Sequence, residues 1–401
     1  MERHAYVELL RTLAFENKKM AFVSGPRQVG KTTLARQLLS DDPGGLYYTW
    51  DDIPFRRQWV KDPKQLIPER VGDRRLVVFD ELHKAPKWKS HLKGVFDLRG
   101  EFADILVTGS ARLDVFRRGG DSLFGRYFLI RMHPLTLGEI AKTTVTPQIL
   151  PQALTKKQPA HRKLLDRLFQ FGGFPEPYLK QNVAFHNAWK RMRVERLVRE
   201  DLRDMTQTGE LASVEGLAAL IPDRVGSPFS FQSLSEDLSV APTTVKRWVG
   251  WLTQLYYIYI LPPYTTKISR SLKKQPKVYL WDWTEIEDPG RRFENMVASH
   301  LLKKVHFWND SGAGNFDLFY LRDKEKREVD FLVTRERRPW LLVEAKMSQS
   351  GISKHLQYFA GRLAPAMAVQ VVNSPDVQEF FSIGNHKRGI LISADRFLSF
   401  F

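Results

Sequence analysis

The sequence predicts an α/β protein built from several domains, and three observations carry that expectation. Over residues 1 to about 140 the β-rich runs MAFVSG, LYYTW, RLVVFD, DILVTG and YFLIRM alternate with helical patterns, the order that makes a parallel sheet. A polar, Pro-rich stretch, TVTPQILPQALTKKQPAH, then separates this part from a helical middle. From about Tyr264 strands and helices mix again, ending at ISADRFLSFF.

Composition narrows the class. With 401 residues, 43% apolar and 27% charged, the chain has the profile of a soluble globular protein of about two or three domains. Sixty-two Lys and Arg against 45 Asp and Glu leave a net charge of +17, which favours polyanionic partners, nucleic acid first. The absence of cysteine excludes disulfides and thiolate metal sites and fits a cytoplasmic protein. The N-terminal MERHAYVELLRTL lacks a signal peptide's apolar core. No run approaches the roughly 18 apolar residues a membrane helix needs. WLTQLYYIYILPPY is short and broken by two prolines, so no membrane partner is expected.

The first strand runs straight into GPRQVGKTT, followed by the helical LARQLL. Strand, glycine loop and helix are the context in which G-x-x-x-x-G-K-[ST] binds phosphate. Gly25, Pro26, Arg27, Gln28, Val29, Gly30, Lys31, Thr32 and Thr33 form this loop and helix start. The glycines let backbone N–H groups face the β- and γ-phosphates of ATP, and the helix N-terminus adds partial positive charge. Lys31 is expected to reach the outer phosphates, and the Thr32 hydroxyl to ligate Mg²⁺.

RLVVFDELHK ends an apolar run with two acids at the carboxyl end of a strand, the edge where open α/β sheets bind ligands. Asp80 is placed to hold Mg²⁺ through water, and Glu81 to act as general base on the attacking water. DILVTGS ends in Thr108 and Ser110, hydroxyls that could sense the γ-phosphate.

The middle of the chain contains HNAWKRMRVERLVREDLRDM, whose arginines recur at helical intervals and mostly suggest a solvated face. FSFQSLSEDLSVAPTTVKRWVGWLTQLYYIYIL then reads as two helices and a strand, the pattern of a winged helix. Leu234, Leu238, Val245, Trp248, Val249 and Leu252 form its apolar stripe, and Pro242-Thr243-Thr244 suits the start of the second helix. In a DNA-binding arrangement Thr243, Thr244, Lys246 and Arg247 would face the groove or its phosphates. Interdomain packing is the alternative use of such a module.

Near the C-terminus, KREVDFLV and WLLVEAKMS flank TRERRPW and read as a hairpin that brings Asp330 near Glu344 and Lys346. Glu344 and Lys346 share a strand face, so burying them requires compensation. Asp330 and Glu344 supply hard oxygen ligands suited to Mg²⁺, and Lys346 would orient a nucleophile or stabilise developing charge. Glu294, near the start of the helical RRFENMVASHLLKK, is a further expected metal ligand.

GPRQVGKTT, VVFDELHK and ILVTGSAR together resemble AAA+-type P-loop ATPases. More closely, the chain is similar to a prokaryotic group in which such a domain precedes a winged helix and a PD-(D/E)xK nuclease-like domain. SLFGRYFLIRMHPLTLGEI and FGGFPEPYL resemble recurring stretches of that group, and E-x-K after Asp330 resembles the nuclease core with Val329 in place of its proline. The resemblance implies a parallel-sheet AAA+ domain at 1–145 and a helical lid or linker at 146–228. It also implies a winged helix at 229–263 and a restriction-endonuclease-like α/β domain at 264–401. It further implies a homo-oligomer in which an arginine acts on the neighbouring subunit's site, with Arg126 first and Arg112 second. The expected function is ATP-driven remodelling or switching on duplex or branched DNA, with Mg²⁺-dependent cleavage by the last domain. The alternatives are an ATP-gated regulator whose last domain only grips DNA, and an ATPase scaffold for a protein partner.

Overall fold

The computed structural model describes residues 2–69, 74–110, 123–143, 145–197, 202, 210–265, 275–349, 351–383 and 387–401. The chain divides into two compact units, Met1–His133 and Pro134–Phe401.

In the first unit five strands form an all-parallel sheet: β1 Met20–Ser24, β2 Leu46–Thr49, β3 Arg75–Asp80, β4 Ala103–Gly109 and β5 Tyr127–Arg131. The order is β2-β3-β4-β1-β5. These are the five runs expected from the β-rich pattern; the near-continuous burial of β1, β3 and β4 is what strands covered on both faces require, while β2 and β5, at the sheet edges, are only partly buried. Phe55, Trp59, Phe79, Trp88, Leu92 and Val107 belong to a core that joins the sheet to helices Ile53–Lys61 and Trp88–Arg99. Because β4 lies between β1 and β3, the loop after β1 and the acids after β3 share one sheet edge, one strand apart.

The second unit begins at Pro134, ahead of the polar, Pro-rich TVTPQILPQALTKKQPAH that composition marks as a separator. Long-range packing makes the difference. The Leu137 N–H donates to His300 Nε2 at 3.0 Å, the Lys303 ammonium donates to the Pro134 carbonyl at 2.9 Å, and Lys303 also pairs with Glu139. The Gly138 N–H reaches the Phe401 carbonyl at 3.1 Å. Burial pushes His300 down to about 3, so it packs as a neutral ring, accepting at Nε2 while Nδ1–H donates to the Met296 carbonyl.

In helix Val183–Arg196 one arginine leaves the mostly solvated face expected of the segment. Arg193 is buried and pairs with Glu285 at 3.0 Å, while its guanidinium lies 4.3 Å from the Phe174 ring centre. Helices Leu211–Leu220, Phe231–Asp237 and Pro242–Gln254 are followed by β6 Ile258–Leu261, which pairs antiparallel with β7 Lys277–Leu280. The two-stranded ribbon therefore extends past residue 263, into the segment assigned by sequence to the last domain.

A mixed six-stranded sheet ends the unit, in the order β12-β13-β11-β10-β9-β8. Its strands are β8 Phe316–Arg322, β9 Glu328–Arg335, β10 Arg338–Lys346, β11 Met367–Val372, β12 Gln378–Ile383 and β13 Lys387–Ser393. The expected hairpin is β9–β10, closed by Glu336 and Arg337, both with positive φ as a tight two-residue hairpin loop demands. Helix Lys354–Leu363 carries the parallel connection from β10 to β11, its Leu356, Phe359 and Ala360 packed on Leu332 and Leu342. The 22-residue helix Pro289–Asp310 brings Glu294 to the β7 side of this sheet.

Candidate functional site

The loop after β1 is shaped by close backbone approach. A Cβ on Gly25 would lie 2.2 Å from the Met132 carbonyl oxygen, so only glycine fits there. Gly30, at φ 101°, precedes helix Lys31–Ser40 in a left-handed conformation that an L side chain rarely adopts. Gln28, also left-handed at φ 63°, is exposed, and Val29 is fully buried. The buried Lys31 ammonium donates to the carbonyls of Gly25 at 3.0 Å and Pro26 at 2.9 Å. Thr33 is exposed on the first turn of the helix, and Arg27 is partly buried in the loop.

Three hydroxyls converge on the buried Asp80. Thr32 Oγ1 donates to Oδ2 at 2.9 Å, Tyr47 OH donates to the same oxygen at 2.5 Å, and Thr108 donates to Oδ1. Hydroxyl donors satisfy lone pairs without cancelling charge, so the site keeps a carboxylate beside Thr32. Burial, followed by the Asp80 hydrogen bond, pushes the Tyr47 phenol up and keeps it a donor. A hydroxyl and a carboxylate oxygen 2.9 Å apart at a phosphate loop suit Mg²⁺, and Thr32 with Asp80 would hold it.

Thr108 is fully buried and bonded to Asp80, so it orients that acid rather than facing a phosphate. Ser110 instead lies 3.1 Å from His83 Nε2. The same nitrogen is 3.6 Å from Glu81 Oε2, and Lys84 lies 3.7 Å from that oxygen. Glu81 sits at φ 57°, a left-handed conformation unusual for a non-glycine residue, which turns it off the strand line taken by Asp80. Arg126 makes a two-pronged pair with Asp97, at 2.7 and 3.1 Å. Arg112 lies outside the described residues.

The expected C-terminal residues also come together. The Ala345 N–H donates to Asp330 Oδ2 at 2.9 Å, continuing the β9–β10 register and setting Asp330 across from Glu344. Lys346 pairs with Glu344 Oε1 at 2.8 Å. Burial first, then the Asp330 charge, pushes Glu344 up to about 8 against the pull of Lys346. Glu344 Oε2 is buried with no hydrogen-bond partner among the described residues.

The departure lies at the other end of the cluster. Lys277, on β7 and 1% exposed, places its ammonium 2.7 Å from Glu328, 3.2 Å from Glu294 and 3.8 Å from Asp330. Tyr279 OH donates to the same Glu294 oxygen at 2.7 Å. Burial alone would push Lys277 down; the three carboxylates outweigh it and push it up, fixing the ammonium form. Burial and the Asp330 charge push Glu294 up to about 7. Among the described residues no three His, Asp or Glu side chains stand ready to hold a metal ion. Glu294, Asp330 and Glu344, expected as metal ligands, thus do not fit a divalent ion as they stand, because an internal ammonium lies among two of them. Lys277 had no local sequence signal, whereas Glu328 did, being two residues before Asp330 on the same strand face.

In helix Pro242–Gln254, Thr243, Lys246 and Arg247 are exposed and Thr244 half-buried. Arg247 pairs with Glu210 and lies 5.2 Å from the Trp251 ring centre, and Trp248 Nε1 donates to Glu210 at 3.0 Å. Trp248 is core, as its place on the apolar stripe requires.

Comparison with known proteins marks three stretches of the chain. Residues 17–141 match a family described as an AAA domain, 162–284 a domain of unknown function (DUF8612), and 289–386 another (DUF4143). The uncharacterized protein Rv2008c of Mycobacterium tuberculosis is 24% identical over 370 residues, 88% of this chain and 76% of that protein. The uncharacterized protein MJ1637 of Methanocaldococcus jannaschii is 23% identical, covering 71% and 68%. Among solved structures, the Aeropyrum pernix ORC1 protein in complex with DNA gives a TM-score of 0.30 at 15% identity, covering 75% of this chain and 94% of that one. AMPPCP-bound DnaA from Aquifex aeolicus gives 0.32 at 12% identity, covering 63% and 87%. No helix among the described residues is long and apolar enough to cross a membrane. The family match and the parallel sheet with its phosphate loop agree: the N-terminal region is an AAA-type P-loop ATPase domain.

Proposed function

We propose that this protein is an ATP-hydrolysing, DNA-binding switch that works as a homo-oligomer. One observation carries the ATPase reading: Thr32 and Asp80 meet at 2.9 Å under a glycine loop, with Glu81 as the next residue. The loop N–H groups and Lys31 would bind the phosphates, Lys31 exchanging its carbonyl partners for phosphate oxygens. Mg²⁺ bound at Thr32 and Asp80 would neutralise charge on the phosphates. Thr108 and Tyr47 orient Asp80, and Glu81, released from His83 and Lys84, would take the proton of the attacking water. Arg126, once freed from Asp97, would complete the site of a neighbouring copy.

The DNA reading rests on the +17 charge and on two helices followed by an antiparallel ribbon, with Thr243, Lys246 and Arg247 on the exposed side of the second helix. The last domain then grips DNA without cutting it, because the carboxylates that would hold the metal are engaged by Lys277. Cleavage is the second reading. It is favoured by the buried, partnerless Oε2 of Glu344 beside Asp330 and Lys346.

ATP turnover, DNA binding and DNA integrity, measured together on the intact chain with linear and branched duplexes in Mg²⁺, test this. Expected are Mg²⁺-dependent hydrolysis, binding that weakens steeply with salt, and intact DNA. Absence of turnover, or DNA affinity indifferent to salt, would overturn the proposal. A Mg²⁺-dependent cut abolished by Asp330→Ala would establish the second reading.

A further inference from the structure

The pocket between β7, β9, β10 and helix Pro289–Asp310 gathers four carboxylates, Glu294, Glu328, Asp330 and Glu344, around two ammonium groups, Lys277 and Lys346. The two lysines are not equivalent. Lys346 is half-buried and makes one ion pair, with the neighbour two residues before it on its own strand. Lys277 is almost fully buried, arrives on the ribbon strand β7 and reaches carboxylates from helix Pro289–Asp310 and from β9. An ammonium bridging acids from separate elements does what a bound cation does: it neutralises groups that would otherwise repel one another in a desolvated place.

We propose that Lys277 is a tethered cation that determines the ion specificity of the C-terminal pocket, excluding divalent metal from the acids it holds. Three further observations support it. Glu294 is held from a second side by Tyr279, so the ammonium and the phenol together use the carboxylate oxygen that faces β7. Glu328 is shared with Arg322, leaving that acid doubly compensated. Glu344 Oε2, which Lys277 does not reach, is the buried carboxylate oxygen of the cluster left without a partner. The acids near Lys277 are thus satisfied by the protein itself, and unsatisfied acceptor capacity remains where Lys277 is absent.

Two properties follow. The domain needs no metal to stay folded, and cation occupancy depends on where β7 lies. Because β7 is the second strand of the ribbon that follows the helix pair, displacing that strand would withdraw the ammonium and leave a cluster of bare acids. The proposal concerns ion choice and depends on neither ATP turnover nor DNA binding, so it can stand or fall separately from them.

The test is binding of Mn²⁺ alone, by electron paramagnetic resonance, to the nucleotide-free full chain carrying Asp80→Asn to silence the first unit. The parent should show no tight site in the second unit. Lys277→Met should gain one, with affinity raised about a hundredfold or more, and Glu294→Gln in that background should remove it. Lys277→Arg, which keeps the charge, should behave as the parent. Thermal melting gives a second reading: Mn²⁺ should raise the Tm of Lys277→Met and leave the parent unchanged, even where the variant is poorly folded without the ion. Tight Mn²⁺ binding by the parent that Glu294→Gln removes would overturn the proposal. So would a Lys277→Met protein that neither binds Mn²⁺ nor is stabilised by it.

Discussion

The two acidic pockets of this chain solve the same electrostatic problem in opposite ways. In the first unit Asp80 is buried among three hydroxyls, which give hydrogen bonds but no charge. In the second unit Glu294, Glu328 and Asp330, each half-buried, surround a buried ammonium, which gives both. Hydroxyls leave a carboxylate able to attract a cation from outside, whereas an ammonium completes the site from within. A similar inventory of acids therefore produces one pocket that waits for partners and one that has supplied its own.

The first pocket's dependence on outside partners can be broken most severely at Arg126. On the proposed reading Arg126→Ala retains ATP binding but loses turnover by about 10³-fold or more. Mixing it with Lys31→Ala should recover part of the activity, because each variant supplies what the other lacks. No recovery in mixed samples would mean that the pocket is completed within one chain. Glu81→Gln should lower turnover by between about 10² and 10⁴ while nucleotide stays bound; a normal rate would remove Glu81 as the base. Lys31→Ala should weaken nucleotide binding by about ten- to a hundredfold, measured by calorimetry, with Mn²⁺ behaviour of the second unit unchanged.

The smallest effect sharpens the other half of the comparison. His300 is held neutral in the fold at about 3, below the ordinary value of 6.5. Between those values the unfolded chain binds a proton that the folded chain does not, so stability falls as pH falls through that window. The slope is about 1.4 kcal/mol per pH unit, or about 2 kcal/mol between pH 6.5 and pH 5. His300→Gln should be less stable at neutral pH but lose less on acidification, by chemical denaturation at the two pH values. Equal slopes would show that His300 protonates freely.

What could be read before the structure was what is local in the chain. The phosphate loop, Asp80 and Glu81 lie on contiguous segments, and a strand followed by a glycine loop and a helix leaves little freedom in where they point. The β9–β10 register was legible too, because a period-two pattern on two adjacent runs sets which acids meet. Lys277 was not, since it reaches Glu328 across 51 positions from strand β7, which belongs to a different sheet from β9. Tyr47 and His83 looked like ordinary members of a strand and a turn; only their hydrogen bonds separate them from other residues of their kind. The boundary at His133 was hidden for a similar reason, as the residues that claim Pro134 and Leu137 stand far along the chain at Lys303 and His300. Arg193 shows the converse: helical spacing placed it among solvated arginines, and an acid at Glu285 drew it inside.

Helix Pro289–Asp310 spans about 33 Å as a single rod. Near one end it presents Glu294 to the ammonium of Lys277, and about 13 Å further along its axis Lys303 clasps the carbonyl of Pro134, the first residue of the second unit. The place where the chain enters this unit and the place where its acids are neutralised are thus fastened to one stiff lever. One unbroken helix, with no loop between, therefore joins the two contacts.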